Sequence, residues 1–231
     1  MVKLIAAVLV FTLVFFVIGL LFELPTPTKY VETKIVYQTV PEYINTTIEV
    51  PVGQIYEKNI TVYGVAIYND SVSGELVGID LILEAGSGGT FLDVSDKTFG
   101  TDLQETLPLI KAYAQSFTHQ NLAYKDLVVR IRTAAENIQG TSGGAAMAVG
   151  LIAMLQNKIL NSSIIVTGSM NPDGTLASVN SLNLKIAVAR NLGVREILVP
   201  KVQCGSVNAS ITGITVACVN SVQEALNIMA A

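Results

Sequence analysis

The chain has 231 residues, with 14 basic against 18 acidic side chains and a formal net charge of −4. Charged residues make up 14%, well below the usual quarter or so, and no basic block occurs. Nucleic acid is therefore not an expected partner, because phosphate neutralisation needs clustered Lys and Arg. A single His and two Cys cannot supply the nitrogen and sulfur ligands of most metal sites. An all-carboxylate site for a hard cation stays open, and no cofactor is expected.

Residues 4–22, LIAAVLVFTLVFFVIGLLF, carry no charge, and as a helix they span about 28 Å, close to the hydrocarbon thickness of a bilayer. A secretory signal peptide is the competing reading, but no small-x-small cleavage site follows Phe22. The expectation is an uncleaved transmembrane anchor over 1–22. Lys3 precedes it and Lys29 and Lys34 follow, so the positive-inside rule is close to a tie. Two features lean outward. Cys204 and Cys218 fall in a loop and the next strand, where a disulfide is feasible. Sequons start at Asn45, Asn59, Asn69, Asn161 and Asn208. Buried thiols and chance sequons account for the same residues. The expected location is a single-pass membrane protein with an extracytoplasmic soluble domain.

Residues 23–53 hold Pro25, Pro27, Pro41 and Pro51 among Thr, Tyr and Val. Proline fixes φ and removes ladder donors, so this reads as an extended stalk. Residues 54–231 read as one domain. ITVYGVAIY and ELVGIDLILEA are strands about a turn at Asn69 and Asp70, and AGSGGT at 85–90 is a loop. LQETLPLIKAYAQSF is an amphipathic helix and DLVVRIR a strand, while GGAAMAVGLIAMLQ is apolar all round and so a buried helix. Short extended pieces SIIVTG and TLASV flank the turn Asn171-Pro172-Asp173-Gly174. SLNLKIAVARNLG is a helix ended by Gly193, REILVP and ITVACV are strands, and SVQEALNIMA is the last helix. Strands and helices mix without regular alternation, which predicts an α+β (α/β layered) domain.

Two places carry candidate chemistry. Ser142 stands among glycines, Gly140-Thr141-Ser142-Gly143-Gly144, where the chain enters the buried helix. Unpaired N–H groups and the positive dipole end suit an oxyanion there, and a serine suits a nucleophile; an N-capping serine after a turn gives the same pattern. The motif also satisfies G-x-S-x-G, but that hydrolase order needs a His after the serine, and the sole histidine, His119, precedes it. His119 reads as a surface residue at a helix terminus. A triad of His119, Asp126 and Ser142 has doubtful geometry. The second place is Lys185, whose helical neighbours Ser181, Val188, Ala189 and Leu192 form a mostly apolar stripe. Such a lysine snorkels, pairs, or loses its proton and becomes a base. With no histidine to spare, serine and buried lysine are the remaining nucleophile–base pair.

These residues resemble the proteolytic domain of Lon, the Ser-Lys peptidase family. That family pairs a G-x-S-[AG]-[GSA] motif with a lysine 43 positions on, the separation of Ser142 and Lys185 here. Thr167-Gly168, the NPDG turn and the Lys185 helix follow in the family's order, and VYGVAIY is similar to its first strand. The NPDG turn and the anchor resemble short archaeal membrane-bound Lon-like proteins. The resemblance implies a Lon-type proteolytic domain of the ribosomal protein S5 domain 2-like fold behind the N-terminal helix. It implies Ser142 as nucleophile and Lys185 as general base. Thr167 matches a threonine that helps hold the lysine amine, with N–H groups near Thr141 and Gly143 at the oxyanion. Three departures stand out. Asn180 and Ser181 replace paired glycines before the lysine helix, Gln139 stands where some members have an acid, and Val128 and Arg130 replace histidines of the soluble class.

The expected activity is a membrane-anchored, ATP-independent serine endopeptidase acting on peptides or unfolded protein segments, since no G-x-x-x-x-G-K-[ST] occurs. The resemblance implies a homo-oligomer, with a hexameric ring as the arrangement it suggests. The rivals are a non-catalytic Lon-like scaffold tethered to the membrane and a protein that processes only itself.

Overall fold

A computed structural model describes residues 58–68, 73–93 and 97–230. The expected anchor over 1–22, the stalk over 23–53, the first residues of the 54–231 domain and the turn at Asn69 and Asp70 lie outside the described residues. Among the described residues, no helix is long and apolar enough to cross a membrane.

One mixed sheet runs, in spatial order, β1 (Lys58–Ile67), β2 (Gly74–Ala85), β5 (Lys125–Arg132) and β3 (Thr90–Asp93). β1 and β2 are antiparallel, with Val65 opposite Leu76. β2 and β5 are antiparallel and β3 lies parallel to β5. The period of two is clearest in β5: Leu127, Val129 and Ile131 are buried. Arg130 and Arg132 on its other face pair with Asp93 at 2.7 Å and Asp80 at 2.9 Å. A second, parallel sheet has the order β11 (Thr215–Val219), β10 (Glu196–Pro200), β7 (Ile164–Val166). Two small pairs complete the strands: β4 (Thr98–Phe99) with β6 (Asn137–Ile138), and β8 (Ser169–Met170) with β9 (Leu176–Ala177) about the NPDG turn.

Among the described residues the helices are α1 (Thr101–Thr118), α2 (Gly144–Leu155), α3 (Leu182–Asn191) and α4 (Val222–Met229). Every residue of α2 is buried, as its unbroken apolar sequence predicts. It lies against β1 and β2 so closely that a Cβ on Gly150 would meet Val62 at 2.6 Å and Leu81 at 2.9 Å. One apolar core gathers around α2 with Leu81, Leu127, Ile110 and Leu226; a second forms around α3 with Val65, Ile165, Val179 and Ile197. The mixed α/β class expected from the sequence is the one observed. The loop read at 85–90 is found at 86–89, joining Ala85 at the end of β2 to Thr90 at the start of β3. Asp126 accepts from the amides of Ser87 and Gly89, and the buried Lys111 ammonium donates to the carbonyls of Gly88, Gly89 and Lys125. That cage fixes the turn at the start of β3.

Cys204 sits in a 3-10 turn, Lys201–Ser206, and is disulfide-bonded to Cys218 of β11, with Cα atoms 6.0 Å apart. Closing a loop of 14 residues removes denatured-state entropy worth about 3 kcal/mol. The double variant Cys204→Ser, Cys218→Ser is expected to lose that much stability in urea unfolding. An unchanged midpoint would show that the crosslink does not constrain the unfolded chain.

Candidate active site

The nucleophile candidate stands on a tight turn ahead of α2. Gly140 has φ 99° and ψ 141°, a conformation open essentially to glycine alone, and Thr141–Gly143 then form a single 3-10 turn. Asp102, in the first turn of α1, accepts from the Gly140 amide at 2.7 Å and from Leu103 at 2.8 Å. Behind the turn, the Ser142 carbonyl accepts from the Gly168 amide at 3.0 Å and from the Thr167 hydroxyl at 3.5 Å. The Thr141 and Ser169 hydroxyls lie 2.5 Å apart. Backbone and side chain of the turn are thus held from three sides, leaving the Ser142 hydroxyl facing a cleft.

Lys185 reaches that hydroxyl from α3. Its Nζ is 3.0 Å from Ser142 Oγ and donates to the Val65 carbonyl of β1 at 2.7 Å. The residue is 6% exposed, so snorkelling is not its solution. Burial alone pushes its ammonium from an ordinary 10.5 down to about 8. A neutral amine has two N–H bonds and one lone pair. With one N–H spent on Val65, the lone pair is steered to the serine.

The other sequence-selected residues fall as follows. Thr167 is 2% exposed, and its hydroxyl meets the Ser142 carbonyl rather than the lysine amine; the partner the resemblance assigned to Thr167 is supplied by Val65. Thr141 and Gly143 flank Ser142 in the turn at the positive end of the α2 dipole. Gln139 lines the cleft and hydrogen-bonds neither member of the pair. His119 is exposed at the end of α1 with φ 55°, and Asp126 is committed to the 87–89 turn, so the His119–Asp126–Ser142 arrangement is not assembled. Two contributors escaped the sequence reading. Asp102 has the look of an ordinary acid at a helix N-terminus, and Val65 contributes only a carbonyl.

Ser181, of the Asn180-Ser181 pair, keeps the backbone that a glycine adopts freely. Ser181 takes φ 56° and ψ 35°, left-handed, and its carbonyl accepts the Lys185 amide at 2.9 Å. A non-glycine residue there carries about 1 kcal/mol of strain. Ser181→Gly is therefore expected to raise stability by no more than about 0.5 kcal/mol once the greater freedom of the unfolded chain, about 0.4–1 kcal/mol, is counted. Thermal unfolding of the two chains decides it, and a lowered midpoint would contradict the strain.

The cleft encloses about 810 Å³ beside the pair. Its floor includes Val77, Ile79, Leu103 and Ile131, and one wall is made of residues 178–181. Its volume falls in the range of ligand-binding clefts.

Residues 38–230 match the family model described as Lon protease (S16) C-terminal proteolytic domain. A Lon protease of Phenylobacterium zucineum is 26% identical over 132 residues, 56% of this chain and 17% of the relative. Archaeal Lon proteases of Methanothermobacter thermautotrophicus and Methanocaldococcus jannaschii are each 24% identical, over 47% and 61% of this chain and 17% and 23% of theirs. The chain thus spans about a fifth of the length of these curated relatives. By the match over its described elements, the chain belongs to the Lon protease (S16) C-terminal proteolytic domain family, a family of serine peptidases.

Proposed function

We propose that the chain is a membrane-anchored serine endopeptidase that hydrolyses peptides or unfolded protein segments without ATP. The observation that carries the reading is the 3.0 Å approach of a buried Lys185 amine to Ser142 Oγ at the edge of the cleft. Neutral Lys185 takes the hydroxyl proton as Ser142 Oγ attacks the peptide carbonyl. N–H groups at 141–143 hold the tetrahedral oxyanion. As the intermediate collapses, the Lys185 ammonium returns its proton to the departing amine. Lys185 then deprotonates a water that attacks the acyl-enzyme, releasing the acid and restoring the serine.

The uncharged run at 4–22 supports the anchor, and the disulfide together with exposed sequon residues Asn161 and Asn208 supports an extracytoplasmic face. Freedom from ATP rests on the lack of a phosphate-cradling G-x-x-x-x-G-K-[ST] segment in this sequence. Assembly as a homo-oligomer, with a ring as the arrangement to test, rests on kinship. The full chain, incubated with an unfolded protein and no nucleotide beside Ser142→Ala and Lys185→Ala, provides the test. Fragments from the wild type alone are expected. A wild type that is folded and inert, or fragments from Ser142→Ala, would overturn the reading.

A further inference from the structure

The loop after β10 takes no part in proton transfer, yet it grips the segment that carries the base. The Gln203 side chain meets both main-chain groups of Val179: its Oε1 accepts from the Val179 amide at 2.7 Å and its Nε2 donates to the Val179 carbonyl at 2.8 Å. A few residues on, Asn183 of α3 donates to the Ser206 carbonyl at 2.9 Å and accepts from the Asn208 amide at 2.8 Å. One primary amide bonded to the N–H and C=O of a single residue fixes that residue as a neighbouring strand would. Val179 is buried in the second core and lines the cleft. Two positions later comes the left-handed Ser181, whose carbonyl starts the turn bearing Lys185. Gln203 is itself anchored, because the adjacent Cys204 is bonded to Cys218 of β11.

We infer that residues 201–208 are a brace for the base-bearing helix, with Gln203 the positioning residue that keeps Lys185 seated between Val65 and Ser142; its catalytic meaning rests on the peptidase reading above. The effect passes through Val179 and Ser181, since Gln203 touches neither member of the pair. The groups that face the Lys185 amine are neutral, the Val65 carbonyl from β1 and the Ser142 hydroxyl. Arg190 on its own helix bonds Asn191. On β2, Glu75 is engaged by Thr133 and Ala134, and Asp80 by Thr61 and Arg132. Nothing but exclusion of water displaces the titration of Lys185, so any loosening of the brace that admits water returns it toward the ordinary lysine range.

The test is an NMR titration of the Lys185 ¹³Cε resonance in the full chain, assigned by its loss in Lys185→Met, with peptide kinetics alongside. Gln203→Met keeps the length of a half-buried side chain and removes both bonds. It is expected to raise the Lys185 midpoint by about one unit or more. Peptide kcat at pH 7.5 then falls about tenfold with KM within about twofold, and recovers as pH is raised. Asn183→Ala moves the midpoint the same way by less. Ser221→Ala, which removes the α4 cap from Glu224, is the control for general destabilisation and leaves the midpoint in place. A Lys185 midpoint equal in wild type and Gln203→Met, or one shifted equally by Ser221→Ala, overturns the brace. If the wild type cleaves nothing, the peptidase reading fails while the titration still decides the brace.

Discussion

Lys185→Met is expected to abolish peptide turnover while making the folded chain more stable at neutral pH. Loss of the base removes the step that generates the nucleophile, and a fall of at least about 10³-fold in kcat is anticipated. The stability change follows from linkage. The native state holds the lysine at about 8 against an ordinary 10.5, so below about 8 the folded chain carries a buried ammonium that the unfolded chain solvates freely. That penalty is about 3 kcal/mol, offset in the variant by leaving the Val65 carbonyl without its donor at a cost of about 1–2 kcal/mol. A net gain of about 1–2 kcal/mol should appear in urea unfolding at pH 7. It should shrink as pH rises from 8 toward 10.5, where both states of the wild type become neutral. The same displacement governs rate: wild-type kcat/KM climbs about tenfold per pH unit below 8 and levels above it. An activity flat from pH 5 to 9 would remove Lys185 as the base.

Gly140→Ala is the second large effect, and it arises without a clash. A Cβ at Gly140 would meet nothing within 4 Å, yet φ 99° with ψ 141° costs a side-chain-bearing residue about 1–3 kcal/mol. The cheapest relief is to rotate the 139–140 peptide, which brings φ back to negative values. That pulls the Gly140 amide off Asp102 and swings Ser142 from its 3.0 Å contact with Lys185. A misplacement of about 1 Å at the reacting atoms is worth on the order of 10²-fold in kcat, with KM little changed. Steady-state kinetics on an unfolded substrate read both terms. Full activity with an unchanged melting temperature would mean that the turn tolerates another conformation.

Some of this architecture is legible in residues alone. The stretch from Gly144 to Leu155 has no polar face, so burial is the one environment that suits it, and the structure buries all of it. A lysine between Val188, Ala189 and Ser181 leaves snorkelling, pairing and desolvation open in sequence, and it is the packing of the second core that buries it. The left-handed position before α3 was harder, because Ser181 lacks the glycine signature for a backbone that the fold nonetheless imposes. β4 and β6 are pairs of two residues, too short for any period to register. β3 hides behind glycines because its turn is set by Lys111 and Asp126, distant residues whose cage no local pattern encodes. Val65 is invisible for a different reason. Its contribution is a carbonyl that every residue possesses, aimed by the strand.

The reacting pair also straddles a seam. Ser142 sits on the turn leading into the helix at the centre of one apolar core, whereas Lys185 projects from the helix around which the other core forms, and the Val65 that orients it is part of that second core. Catalytic competence is thus a gauge of how the two cores dock, finer than any spectroscopic measure of helix or strand content. A slip of a fraction of an ångström along that boundary silences the enzyme while every hydrogen-bonded ladder stays intact, so inactivation in mild denaturant should run ahead of the far-ultraviolet transition.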